Sequence, residues 1–377
     1  MSRFINSIKT TGRAALAKSA AITPVYRLVL KNIAVSHLQN CERLLVKPVD
    51  MWAGDVLRGE SILQNRFELP SGIFDLYAEN WCPHTASDAM ISDLHSFEWL
   101  RDLRRCARGA ARTRAQELML SWLENFAEFY DQTWAAPIAA KRVTMWISHA
   151  DLFDFEGEDE DRFLDSLFLQ AKHVYCQSQD SLALRTPSCA IVKALIYSGI
   201  AFENGDIFLE RGKLLLSRLI HYAILEDGSH RSRSPDFALN LLQNLLDMRV
   251  AFQAAGHDTP EDLKAAINTL APAIRFFRHN DKAFALFAGA QKGQSDVIDS
   301  ILAQSGSKAK SPLRLVHGGY ERAAQGQGLI IMDTGLNTAD DNLISANAAP
   351  LSFEFSYGKD RIFTSCGAHP YDPAWQE

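Results

Sequence analysis

The period of the apolar residues changes once along this chain, and that change limits the fold more than any other feature. From about residue 93 to 305, hydrophobic side chains recur every three or four positions. Leu94, Phe97, Leu100, Leu103 and Cys106 do so, as do Leu118, Trp122, Phe126 and Phe129, with Leu120 between them. That spacing gathers them on one face of a helix. Further helical runs are predicted over 137–153, 160–178, 181–199, 206–226, 235–255 and 260–279. Ser234-Pro235-Asp236 and Thr259-Pro260-Glu261 each offer an N-cap hydroxyl, a proline at the first helical position and an acid in the first turn. Gly228 and Gly256 stand where helices should stop. Short connections make consecutive helices antiparallel neighbours, and about eight of them suit a toroid or solenoid of helix pairs rather than a four-helix bundle. No fixed-period motif marks a named repeat.

From about 313 the period is two. Gly328–Asp333 reads as a buried strand. Leu351-Ser-Phe-Glu-Phe-Ser356 alternates, with Leu351, Phe353 and Phe355 on one face. Arg361–Cys366 follows the Tyr357-Gly-Lys-Asp360 turn as the second arm of a hairpin. Three or four strands are few for a sandwich. The expected fold is therefore α+β, multidomain and mainly α. An irregular region, 1–90, holds a short hairpin turning at Pro70-Ser71-Gly72. An incomplete (α/α) toroid of antiparallel helix pairs follows over 91–310. The first strands of an antiparallel β-sandwich occupy 311–377. An open β-edge there is a place for a partner or for self-association.

Composition excludes several classes. Lys+Arg number 39 against 45 Asp+Glu, a net charge of −6, whereas a general nucleic-acid binder needs a basic surface to neutralise phosphates. None of the six cysteines pairs at CxxC spacing, so a zinc ribbon or thioredoxin-like centre is excluded and buried thiols are expected. The acidic stretch Asp151–Asp161 lacks the alternating ligands of a calcium loop and reads as a solvated loop and helix start. No segment approaches the roughly 18 apolar residues of a membrane span. The basic N-terminus has one candidate apolar core, Ala14–Ile22, which Lys18 interrupts. It makes a poor signal peptide and favours a cytoplasmic chain.

Several segments, in order, resemble one family. Leu225-Glu-Asp-Gly-Ser-His-Arg-Ser-Arg-Ser-Pro235 is similar to the Asp-Gly-x-His-x-x-x-Ser-Pro segment of bacterial heparinase II/III-like proteins. His95–Leu103 resembles an early toroid helix of that family. Ile274–His279 with Leu286–Gly289 resembles its crossing into the β-domain. His317–Arg322, Leu351–Phe355 and Cys366-Gly367 resemble its first strands. The resemblance covers nearly the whole chain and implies a short member of a family of polysaccharide lyases. It also implies a periplasmic setting and a uronic-acid-containing glycan, an acidic polysaccharide or oligosaccharide, as ligand.

Eliminative cleavage beside a uronic acid needs a group that neutralises the carboxylate, a base for the α-proton and an acid for the leaving oxygen. His230, Arg231 and Arg233 supply candidate groups on one interhelical loop. Arg101, Arg142 and Trp99 are further candidates for substrate contact. By the resemblance, active members carry an Asn where this chain has Thr186-Pro187. They carry a Tyr where it has Phe237 and a His where the nearest equivalent is Asn347. Phenylalanine moves no proton, and an amide is no base at neutral pH. His230, Tyr320 and Asn347 are the catalytic candidates that this leaves, with His317 and Tyr357 as substitutes. No cofactor is expected. The resemblance allows zinc between strands, but its ligands are not evident, and only His317 and His369 flank the region. Two rivals to a lyase stand: a non-catalytic carbohydrate-binding or envelope-associated relative, and an α-solenoid interaction module.

Overall fold

The computed structural model describes residues 41–76, 81–82, 86–127, 132–335 and 351–367. The leader reading at 14–22, Phe129, Asn347 and His369 lie outside them. Among the described residues there are thirteen α-helices and seven strands. Helices α1 (Val56–Leu63), α2 (Asp88–His95), α3 (Leu100–Leu103), α4 (Arg108–Phe126), α5 (Ala136–Ser148), α6 (Ala150–Phe153), α7 (Glu158–Gln177), α8 (Ser181–Arg185) and α9 (Cys189–Ala201) come first. They are followed by α10 (Asp206–Ala223), α11 (Pro235–Ala254), α12 (Glu261–Phe276) and α13 (Ser295–Gln304). Strands β1 (Arg66–Leu69) and β2 (Gly72–Asp75) form an early hairpin. Strands β3 (Arg314–Leu315), β4 (Tyr320–Gln325), β5 (Gly328–Asp333), β6 (Phe353–Tyr357) and β7 (Asp360–Phe363) come last. No helix among the described residues is long and apolar enough to cross a membrane.

The chain packs as two compact units, one of residues 1–216 with 250–257 and one of 217–249 with 258–377. Their boundaries fall inside α10, inside α11 and in the connection between α11 and α12.

In the first unit, α5, α7 and α9 pack on one another. The hairpin turns through Pro70-Ser71, as the spacing predicts, with Leu69 paired to Gly72 and Phe67 paired to Phe74. Phe67 and Phe74 point into the core. The helix expected over 181–199 is two helices. Pro187 has no amide hydrogen and holds Thr186 out of helical geometry (φ −131°, ψ 74°), so α8 stops and α9 starts afresh after Ser188. The core is aromatic: Trp81, Phe97, Trp99, Trp122 and Trp146 are buried, with Phe97 edge-on to both Trp122 and Trp146. Phe97 reaches this position from a left-handed backbone (φ 61°) between α2 and α3.

In the second unit the five C-terminal strands form an antiparallel meander in the order β3-β4-β5-β6-β7. Strand β5 alternates rather than being buried on both faces, with Leu329, Ile331 and Asp333 inward. Strand β6 does the same in a direction the sequence conceals. Glu354 and Ser356 face inward, while Phe353 and Tyr357 are exposed. The polar pair is matched by His279. Its Nδ1 lies 2.9 Å from Ser356 Oγ and its Nε2 lies 2.9 Å from Glu354 Oε2. Arg361 on β7 approaches the same carboxylate at 3.5 Å and pairs with Asp281.

Candidate functional site

The loop Ile224–Ser234 in the second unit is built tightly. The Leu225 amide donates to the Ser229 carbonyl and the Arg231 amide to the Ala223 carbonyl, closing a small antiparallel bridge. Gly228 makes its turn with φ +82°, and a Cβ there would collide with the Thr269 carbonyl. Only glycine meets both conditions at once.

Asp227 anchors this loop to the start of the sheet. One carboxylate oxygen accepts the Ser229 amide (3.0 Å) and hydroxyl (2.6 Å). The other accepts the amides of His317 (2.6 Å) and Gly318 (3.0 Å). Burial opposes the charge, but these donors outweigh it and hold the carboxyl below its ordinary range. Arg233, in a left-handed conformation (φ 63°), reaches the same strand start. Its Nε donates to the Gly318 carbonyl at 2.9 Å, and its Nη2 donates to the Gly319 carbonyl and pairs with Asp333. A Cβ at Gly335 would strike the Arg233 guanidinium.

His230 sits at the centre of the loop. Its Nδ1 receives the Ser232 amide (3.0 Å) and lies 2.7 Å from the Ser232 hydroxyl, which in turn accepts the Ser234 amide. These donors make Nδ1 an acceptor and leave the ring proton on Nε2. Burial pushes the imidazole down to about 4, so it is neutral at pH 7. The ring lies nearly parallel to Phe237, 6.0 Å away and 17° inclined, and Phe237 is exposed. Arg231 places its guanidinium over the Tyr222 ring at 5.0 Å.

The structure thus brings together His230, Arg231, Arg233 and Tyr320 of the residues expected from sequence; Asn347 lies outside the described residues, and Arg101, Arg142 and Trp99 belong to the first unit. Tyr320 is buried, donates its hydroxyl to the Arg233 carbonyl at 3.2 Å, and lies under the Arg233 guanidinium. Burial and the nearby Asp333 charge raise its phenol, so it is a packing residue rather than a proton carrier. His317 is exposed, with Nε2 3.3 Å from Glu226. In the first unit, Arg142 and Trp99 do not line a cleft. Arg142 is wholly buried. It donates to Gln170 and to the carbonyls of His95 and Thr133, and it stacks over Trp122 at 4.4 Å. Trp99 is buried with its indole NH on the Leu94 carbonyl. Arg101 is spent on Asp50, at 2.5 Å.

Sequence reasoning missed the roles of Asp227, Ser232 and Asp333. The Asp-Gly spacing was a usable signal for the first, but the other two depend on contacts that no local pattern encodes. Among the described residues no group of three or more His, Cys, Asp or Glu could hold a metal.

Comparison with known proteins agrees with this architecture. Residues 307–377 match the family model for the heparinase II/III-like C-terminal region. The chain is 28% identical over 333 residues to FtsZ-localized protein C of Caulobacter vibrioides (strain NA1000 / CB15N), covering 87% of this chain and 57% of that protein. Its fold matches a heparinase III crystal structure with a TM-score of 0.68 at 14% identity, over 96% of this chain and 66% of that one. It also matches the heparan sulfate lyase HepC from Pedobacter heparinus with a TM-score of 0.57 at 14% identity, over 96% and 64%. The chain therefore spans little more than half the length of the curated relative and somewhat under two thirds of these solved chains. A helical toroid-type region runs into an antiparallel sheet as in these solved structures, and residues 307–377 match the heparinase II/III-like C-terminal family model, so the chain resembles that family in fold and in its C-terminal segment.

Proposed function

We propose that this chain binds an acidic, uronate-containing glycan through the Asp227–Phe237 loop without cleaving it. The observation that carries this reading is the state of His230. Its Nδ1 is filled by Ser232, so the ring offers only an Nε2–H donor. A donor suits a sugar hydroxyl or a uronate oxygen, whereas β-elimination needs a base. Tyr320 supplies no alternative, because its hydroxyl is engaged by the Arg233 carbonyl. Phe237 adds an exposed ring face to this donor. Arg231, held over the Tyr222 ring, keeps positive charge beside this loop.

The name of the Caulobacter relative describes a localised protein and no enzyme, which also favours binding over turnover. The fold shared with heparinase III and the heparan sulfate lyase HepC is the reason to test acidic glycans first. Two measurements on the same samples decide the matter. Near-ultraviolet absorbance reports the unsaturated product of elimination, and retention on heparin, heparan sulfate, alginate and chondroitin gels reports binding. Retention without product, lost in His230→Ala, is expected. Product formation, or no retention on any of the gels, overturns the reading.

A further inference from the structure

The first unit contains a cleft that the glycan reading does not use. Its volume is about 210 Å³, and its lining includes Arg43, Lys47, Phe153, Phe155, Glu160 and Phe163. That is smaller than the ~300–1,000 Å³ of sites for drug-sized ligands, so it suits a single residue-sized group.

The floor is aromatic by construction. Asp154 ends α6 in a left-handed conformation (φ 47°) and turns the chain so that Phe153 and Phe155 lie parallel, 5.9 Å apart and 8° inclined. Phe163 from α7 closes on both, at 5.3 and 6.0 Å. The cationic side is also held in place. The Leu45 amide donates to the Ala201 carbonyl at 2.8 Å and Leu44 bridges to Phe202, which fixes the segment carrying Arg43 and Lys47.

The charges around this floor are unequal. Asp151 and Asp154 line the cleft too, but Arg104 and Arg112 engage them from outside. Arg43, Lys47 and Glu160 have no ion pair among the described residues. Two cations and one carboxylate without ion pairs among the described residues therefore surround the half-buried Phe155 ring, with Phe153 and Phe163 buried behind it. A bound group that matches them pairs an aromatic or branched aliphatic body with one carboxylate. Further acids on the ligand would meet Glu160.

We propose that this cleft binds the C-terminus of a peptide whose last residue is apolar, with the α-carboxylate on Arg43 and Lys47 and the side chain on Phe155, which Phe153 and Phe163 back from beneath. The proposal is independent of the glycan loop.

The test is a calorimetric titration of the whole chain with three capped probes. N-acetyl-Ala-Phe carries a free carboxylate, its C-terminal amide lacks one, and N-acetyl-Ala-Phe-Glu-amide carries its carboxylate on an internal side chain. The free acid should bind about tenfold more tightly than either other probe, the scale of one charge-assisted pair. The Arg43→Ala/Lys47→Ala double variant, which alters only exposed side chains, should bring the acid down to the level of the amide. Glu160→Gln should strengthen acid binding. Equal binding of acid and amide, equal binding of the internal probe, no binding of the acid at millimolar concentration, or an unchanged double variant would each overturn the proposal.

Discussion

Arg233 and Asp333 are paired across 100 positions of sequence, tying the loop before α11 to the end of β5. Both side chains are largely buried, at 21% and 12% exposure, and the arginine also holds the Gly318 carbonyl. Removing one partner leaves the other short of solvent. Arg233→Ala should lower the unfolding free energy by about 2–4 kcal/mol, slightly under the figure for a wholly buried pair. Arg233→Lys should recover little of this, because one ammonium cannot serve a carbonyl and a carboxylate on diverging vectors. Urea denaturation measures both, and an unchanged midpoint for Arg233→Ala would show that the pair carries no stability.

His279 and Glu354 are fully buried and bonded to each other. Glu354 also accepts the amides of Leu286 and Ser365, so its loss strands several donors at once. Glu354→Ala should cost about 3–5 kcal/mol. It should also speed amide hydrogen exchange in β6 before the rest of the sheet. Uniform exchange across the sheet would contradict this.

Acid should weaken the first unit through its buried histidines. Burial holds His95 down at about 3, and His149 and His173 at about 4. In the unfolded chain each titrates near its ordinary ~6.5. Between those values the unfolded state binds protons that the folded state refuses. Stability is therefore complete above about 6.5 and is lost as pH falls toward 4, at up to ~1.4 kcal/mol per pH unit for each histidine. Melting temperature should fall steadily from pH 7 to 4.5. A flat profile over that range would sink the argument.

Phe237 occupies the position at which the family resemblance implies a tyrosine. Phe237→Tyr should nonetheless release no unsaturated product, because His230 still presents a donor and no base joins it. It should keep glycan retention, whereas Phe237→Ala should weaken binding about two- to tenfold through loss of the ring face. Absorbance appearing in the tyrosine variant would mean that one phenol is all the site lacks.

The start of α11 and the period-two hairpin were legible because their causes are local, whereas the cap expected at Thr259 falls one residue early, since α12 begins at Glu261 with Pro260 in the cap position. Ser234-Pro235-Asp236 and the turn between Tyr357 and Asp360 need only their own neighbours, whereas 328–333 reads as a wholly buried run and its alternation is set by the sheet it joins. The faces of β6 were not legible. Alternation says which residues share a face but not which face turns inward, and here the inward choice is set by His279, 75 residues from Glu354. The site was half legible for the same reason. The His230 loop drew notice through its resemblance to a family segment, while the burial of Arg142 follows from Trp122, Gln170 and two distant carbonyls, which no spacing rule anticipates. Pro187, by contrast, carried a readable breaker signal that the apolar period over 181–199 obscured.

The outward side of β6 and β7 governs how the chain behaves as a colloid. Phe353, Tyr357, Ile362 and Phe363 stand uncovered there, and β7 is an edge strand among the described residues. Bare rings beside unpaired backbone are the ingredients of strand stacking between molecules. Concentrated samples should turn turbid from this side first, and a lysine at Ile362 or Phe363 should clear them without disturbing the inward residues that hold the sheet.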